Sequence, residues 1–318
     1  MDDESLSTAR SKSQEEGKMG TLTDLLGTGE AATALGGVIT ALLDKLSHAV
    51  GWCANHDTPN RVAINTYIAE IQNSNIDPLI KAARISNAKK IIREYCNQEN
   101  IVSIAIQSVK SDAKPENIDA DWLAQFMDKA RLVSSEEFQL IWGKILANEC
   151  NEPGCVPRAL LEILPRMDKE DAENFSLICR MAIRMGKSAS PIIDTVNIDK
   201  YAQWGLALDT LIDLTSLGLI NTNSDSYFLA SETGETTVQY FDEIYPLSET
   251  KRIAVGGAIF TKAGEALYHS ICVEKLDGFY EKICLPYWKR AENELCNMEK
   301  KLQKYGMDLS YILSLIHI

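Results

Sequence analysis

The run VSSEEFQLIWGKILANEC, from Val133 to Cys150, constrains the fold of this chain more than any other stretch. Phe138, Ile141, Trp142, Ile145 and Leu146 recur at i, i+3, i+4, i+7 and i+8, which lays one continuous apolar stripe along a helix. Ser134 and Glu137 have the spacing of a capping box, with Val133 and Phe138 as its hydrophobic staple. Asn151 to Gly154, Asn-Glu-Pro-Gly, ends the helix. A stripe this wide with a tryptophan at its centre has to be covered by other elements, so the chain must supply partner helices.

The flanking sequence supplies them. Asp119 caps a short helix whose Trp122, Phe126 and Met127 share a face, Pro157 opens another, and Asp168 caps a third that ends at Gly186. The predicted core is therefore Trp122, Phe126, Phe138, Trp142, Ile145 and Leu146. Upstream, Glu30 to Trp52 and Asn60 to Gln72 read as helices, and Asp77 to Val109 as one long helix or as two interrupted near Cys-Asn-Gln-Glu-Asn-Ile. Beyond Gly186 the periodicity changes. A helix over Lys200 to Leu217 is followed by the β-rich runs SYFLA, TTVQYFDEIYPL and RIAVGGAIF, then by a helix opening at Thr261. From there the chain reads as helical to about Gly306, in two pieces joined near Leu-Asp-Gly, with Pro286 kinking the second.

The expected fold is mainly α, a multi-helix bundle with a small winged-helix-like α+β module near the C-terminus. Its parts are a tail at 1–20, an N-terminal helical region at 21–112 and the capped-helix core at 113–187. The winged-helix-like module follows at 188–275 and a C-terminal helix at 276–312. Residues 313–318, Leu-Ser-Leu-Ile-His-Ile, read as the translated end of a sequencing adapter.

The segments NIVSIAIQSV, DADWLAQFMDKARLVSSEEFQLIWGKILANECNEPG, PRALLEIL and DKEDAENF resemble the bacterial domain-of-unknown-function 2806 family, which is distantly similar to the abortive-infection alpha proteins. The resemblance is carried by the Trp-Leu-x-x-Phe and Gln-x-x-Trp-x-x-Ile-Leu-Ala spacings. It implies an intracellular, cytoplasmic bacterial protein linked to phage defence, and it brings no catalytic residues. After Glu-Pro-Gly this chain has Cys155, Val156 and Pro157 where the family pattern is polar, which speaks against a polar active-site loop.

A winged helix often grips DNA, but the charge here argues otherwise. Lys and Arg total 32 against 45 Asp and Glu, a formal net charge of −13. Between Lys200 and Lys251 there is no Lys or Arg, while Asp209, Asp213, Asp225, Glu232, Glu235, Asp242, Glu243 and Glu249 all lie there. Basic side chains supply most nucleic-acid affinity by neutralising phosphates, so the module reads as a packing or protein-docking unit and nucleic acid is an unlikely partner. The basic exception is Lys81, Arg84, Lys89, Lys90 and Arg93, with no acid between Pro78 and Arg93. At 100° per residue Lys89, Lys90 and Arg93 share a face opposite Ile85, Ile91, Ile92 and Tyr95, a solvated face or else a docking site for an acidic surface or RNA.

Enzymatic and cofactor signatures are missing from the sequence. Gly186-Lys187-Ser188 resembles the tail of a phosphate loop, but position 181 is Met where that motif needs glycine. His48, His56, His269 and His317 stand in no diagnostic motif. Glu136, Glu137 and Glu149 could suggest a metal, but the first two suit a helix start better. The eight cysteines show no Cys-x-x-Cys pair and read as reduced, mostly buried thiols. No catalytic, cofactor-binding or metal-binding residue is therefore assigned. The uncharged Ala31 to Leu43 spans thirteen residues, about 20 Å of helix against a roughly 30 Å bilayer core. It reads as a buried helix, with membrane insertion as the alternative.

Overall fold

The computed structural model describes residues 30–52, 61–230, 237–246 and 252–304. The tail at 1–20, the residues 313–318 and His56 lie outside them. The chain is mostly helical with small antiparallel sheets, and it divides into two compact units, one up to Cys155 and one from Val156.

The first unit holds α1 (Glu30–Val50), α2 (Arg61–Asn73), α3 (Pro78–Ser108), α4 (Ala120–Ala130) and α5 (Glu136–Asn151), with a 3-10 turn at Pro115–Asn117. Val38, Ile39, Leu42 and Leu46 of α1 are buried in a stripe, and α1 packs on α4 and the 3-10 turn. No helix among the described residues is long and apolar enough to cross a membrane. α3 is one continuous helix. Asp77 caps it by accepting from the Leu79 amide at 2.8 Å, with Pro78 at its first position. The polar run that suggested a break is used across a helix interface instead. Asn97 donates to the Arg131 carbonyl at 2.9 Å, Gln98 to the Met127 carbonyl at 2.9 Å, and Asn100 to Gln139 Oε1 at 3.2 Å.

These bonds tie down the connection between α4 and α5 and account for a correction. The predicted capping box of Ser134 and Glu137 does not form. α5 starts one residue later, at Glu136, and its cap Ser135 makes no side-chain bond. Gln139 does the work from inside the helix: its side-chain nitrogen reaches back to the Val133 carbonyl at 2.9 Å and to Asn97 Oδ1 at 3.3 Å. Asp119 caps α4 as expected, accepting from the Trp122 amide at 2.7 Å.

The second unit opens with α6 (Arg158–Ile163), a 3-10 turn at Leu164–Arg166, and α7 (Lys169–Arg180), which starts in a capping box of Asp168 and Asp171. α7 stops short of Gly186. Met181, Ala182, Ile183 and Met185 are buried while Arg184 is exposed, so this apolar run is covered on both faces of extended chain except at Arg184. β1 (Ala182–Met185) pairs with β2 (Ser188–Pro191), so Gly186, with φ 60, is a hairpin glycine and not a helix terminus.

The helix predicted over Lys200 to Leu217 is split at left-handed Gly205 into a 3-10 run at Thr195–Trp204 and α8 (Leu208–Leu217). β3 (Ile220–Ala230) pairs with β6 (Arg252–Phe260) through a bulge. Between them β4 (Thr237–Tyr240) and β5 (Glu243–Pro246) form a hairpin that joins the other sheet, in the order β2-β1-β4-β5.

α9 (Lys262–Tyr268) is short, and irregular chain follows it rather than helix. Thr261 caps it, accepting from the Gly264 amide at 3.0 Å while donating to the Gly218 carbonyl at 2.7 Å. Gly264 is required because the Leu219 carbonyl lies where a Cβ would be. Together they lock the end of α8 to the start of α9. A π-helical turn at Tyr280–Cys284 then leads into α10 (Leu285–Lys304), with Pro286 at the start of that helix.

Candidate functional site

The sequence-derived core assembles in the first unit. Trp122, Phe126, Trp142, Ile145 and Leu146 are fully buried, with Trp122 stacked on Phe126 at 5.2 Å and Phe126 tilted against Trp142 at 5.1 Å. Phe138 is only half-buried, because it lies in the first turn of α5. Gly143 sits where α5 crosses α3, with the Ile101 carbonyl oxygen 3.0 Å from where its Cβ would be. Glu149 is buried and holds the turn after α5 by accepting from the Gly154 amide at 2.6 Å.

Lys89, Lys90 and Arg93 all lie on the exposed side of α3. Lys90 is 3.8 Å from Glu94, a pair worth little where the ammonium is solvated. Glu94 is held more firmly by Arg131, whose NH1 donates to it at 2.9 Å. Lys81 is diverted, donating to the Gln72 carbonyl at 2.8 Å. One expectation is corrected. Ile85, Ile92 and Tyr95 are half-buried, Tyr95 stacking on Trp52, but Ile91 is 56% exposed. α5 covers the later, buried part of α3, whereas this part meets little beyond α2 and Trp52, so the covered stripe is narrow. Leu79, 78% exposed, and Ile80, 47% exposed, extend the apolar surface toward the start of α3.

The second unit carries a recess of about 260 Å³ that the sequence reading did not anticipate. Its floor is a register pair. Arg184 of β1 stands opposite Gln239 of β4, and its NH2 donates to Gln239 Oε1 at 3.2 Å. The Gln239 amide is oriented in turn by donating to the Phe241 carbonyl at 2.6 Å. Phe241 and Asp242 form the two-residue turn between β4 and β5, and Phe241 takes φ 51, a conformation bulky L-residues avoid. Lys275 braces that turn, 2.9 Å from Asp242 and 3.7 Å from Glu243.

The opposite wall is Tyr268 and His269 at the end of α9, followed by Ile271 to Val273. Tyr240 fixes that connection from beneath, donating to the Arg180 carbonyl at 2.9 Å and accepting from the Leu276 amide at 3.0 Å. Burial pushes its phenol well above the ordinary range, so it stays neutral in these bonds. One sequence trace of the recess is Arg184, a single charge inside the otherwise apolar run Met-Ala-Ile-Arg-Met.

A smaller recess of about 50 Å³ lies beside Asp194 and Tyr201. Asp194 accepts from Arg290 NH2 at 2.6 Å and from Asn197 at 2.9 Å, and its amide donates to the Tyr201 hydroxyl at 2.8 Å. Burial raises the Asp194 pKa, but these donors outweigh it and hold the carboxyl below its usual 3.8.

The cysteines divide by burial. Desolvation raises the Cys150 thiol to about 12 and lifts Cys179 and Cys284 well above the normal range, so none is a nucleophile. Cys155 and Cys272 are exposed. Among the described residues no group of three or more His, Cys, Asp or Glu is placed to hold a metal ion. The His48 ring pairs with the Asp44 carbonyl of its own helix, and His269 packs edge-on against Tyr268.

The sequence profile described as "Protein of unknown function (DUF2806)" matches residues 83–284, a span that includes the α3–α5 core and the 260 Å³ recess. No curated protein and no solved structure matches the chain.

Proposed function

Starting from the DUF2806 family, to which the chain belongs, we propose a non-enzymatic interaction or regulatory protein that docks an acidic protein surface on the exposed face of α3. The observation that carries this reading is the combination on that face. Lys89, Lys90 and Arg93 are exposed, Ile91 in the same turn is exposed as well, and no acid lies between Pro78 and Arg93. Aliphatic surface among cations suits a protein partner with an acidic rim. Binding to single-stranded RNA would call for aromatic platforms among the cations, which α3 does not offer there.

We read the stretch α8, β3, β4, β5, β6, α9, a helix, then strands, then a helix, as a winged-helix-like docking module with an enlarged wing. α8 has no basic residue and exposes Leu208 and Ile212, so protein contact suits it better than DNA. The cellular setting we propose is cytoplasmic phage defence, and it rests on a distant resemblance to abortive-infection alpha proteins that is itself part of the proposal. Membrane action through residues 31–43 is the runner-up, disfavoured by the buried stripe of α1.

Phage challenge of the bacterial host carrying the native chain or the triple variant Lys89→Glu, Lys90→Glu, Arg93→Glu tests both parts. The expected result is protection by the native chain and none by the variant at equal folded abundance. Equal protection by both would remove the α3 face from the function, and protection by neither would remove the defence setting. Salt-dependent RNA binding that the variant loses would replace the acidic partner by RNA.

A further inference from the structure

We propose that the recess between β1, β4 and the end of α9 binds a small organic monocarboxylate, with the Arg184 guanidinium gripping the carboxylate and the apolar walls holding its body. Three independent observations converge on it.

The first is charge. Among the described residues Arg184 is the one permanent cation lining the recess, and no carboxylate lines it. The nearest acids of the turn, Asp242 and Glu243, are engaged by Lys275 outside it. Among the described residues Arg184 forms one hydrogen bond, to a neutral amide, which leaves most of its donor fork for a ligand. A guanidinium matches the two oxygens of a carboxylate in a bidentate pair. One cation balances a single negative charge, whereas a phosphate dianion would call for more than Arg184 alone.

The second is preorganisation. Gln239 is clamped at both ends, accepting from Arg184 and donating to Phe241, so the guanidinium is aimed before any ligand arrives. The Tyr268 hydroxyl, on the facing wall, has no hydrogen-bond partner among the described residues and is available to a second ligand oxygen.

The third is strain. Phe241 holds a left-handed backbone at the rim, where glycine would be the unstrained choice for the turn. Glycine would deprive the recess of an aromatic wall. With Ile271 and Val273, that ring adds apolar surface beside the polar groups of the recess. At about 260 Å³ the space lies below the roughly 300–1,000 Å³ of drug-sized pockets, so the ligand is small.

Cys272 lines the same recess and provides a reporter, while exposed Cys155, in the other unit, provides an internal control. Peptide mass spectrometry of the full chain would follow iodoacetamide labelling at both cysteines in the presence of benzoate or of its neutral isostere benzamide. Benzoate should slow Cys272 saturably and leave Cys155 unchanged, benzamide should do neither, and inorganic phosphate should be weaker than benzoate. Arg184→Gln should weaken the benzoate effect about tenfold or more, the loss of a charge-assisted pair. Arg184→Lys retains charge and solubility but loses the fork, and should lose most of the effect as well.

Absence of protection by benzoate, equal protection by benzamide, or protection that survives both Arg184 variants would each overturn the proposal. The readout is independent of the α3 face, so failure of one leaves the other standing.

Discussion

Gly37 and Gly143 both lie inside helices, and substitution by alanine should push them in opposite directions. Intrinsic propensity favours Ala over Gly by about 1 kcal/mol in a helix interior. At Gly37 of α1 an added Cβ meets nothing within 4 Å, so Gly37→Ala should stabilise the first unit by about 0.5–1 kcal/mol. At Gly143 of α5 the same Cβ overlaps Ile104 Cγ2 and stands 2.6 Å from Ile104 Cβ and 3.0 Å from the Ile101 carbonyl oxygen. A rotamer change can move Cγ2, but Ile104 Cβ and the carbonyl are fixed to the backbone of α3. The two helices must therefore separate. Overpacking of this kind costs about 1–3 kcal/mol. Separation also stretches the bonds from Gln139 to Asn97 and Asn100, each worth about 1 kcal/mol. After the propensity gain, Gly143→Ala should destabilise by about 1–3 kcal/mol. Hydrogen exchange across a urea series, read on peptides from α3 and α5, separates this unit from the other. If Gly143→Ala raises the midpoint as Gly37→Ala does, the close approach of α3 and α5 is wrong.

Trp142→Ala removes a side chain that is 1% exposed and should cost about 3–5 kcal/mol on the same peptides; an unchanged midpoint would take Trp142 out of the core. Leu42 is fully buried, so Leu42→Asp should leave the first unit unfolded or insoluble; a folded variant that merely loses liposome binding would restore the membrane reading. The depressed carboxyl of Asp194 ties the second unit to pH. Its contribution is complete above the ordinary pKa of 3.8 and is lost as pH falls through the lower folded value. Asp194→Asn should therefore flatten the acid limb of that unit's stability profile, and an unaltered limb would show that the Arg290 and Asn197 contacts are not formed in solution.

Local signals were readable in the sequence, and the places where reading failed share a physical cause. Asp119, Asp168 and Thr261 were recognisable as caps because a cap is decided within three residues of chain. The stripe from Trp142 to Leu146 was recognisable because helical period and burial agree. Ser134 failed because the competing contacts come from another helix: Asn97, Gln98 and Asn100 of α3 bond the Arg131 and Met127 carbonyls and Gln139, and nothing near Ser134 announces them. Gly186 failed because a glycine after an apolar run fits a helix end and a hairpin equally, and the pairing of β1 with β2 decides between them only in the fold.

The two candidate surfaces differ in the same way. The basic face of α3 is contiguous in sequence, so composition and a helical wheel reach Lys89, Lys90 and Arg93, although its apolar margin at Ile91 depends on which neighbours cover α3. The recess draws Arg184, Gln239, Tyr268 and Cys272 from segments far apart in sequence, joined by a register pair and a braced turn. No local window contains that arrangement. Besides Arg184, its local trace is a phenylalanine in a turn position that favours glycine, which a sequence reader sees as an ordinary aromatic in a β-rich run. The backbone strain at Phe241 thus points to the recess only after the fold has brought Arg184 opposite Gln239.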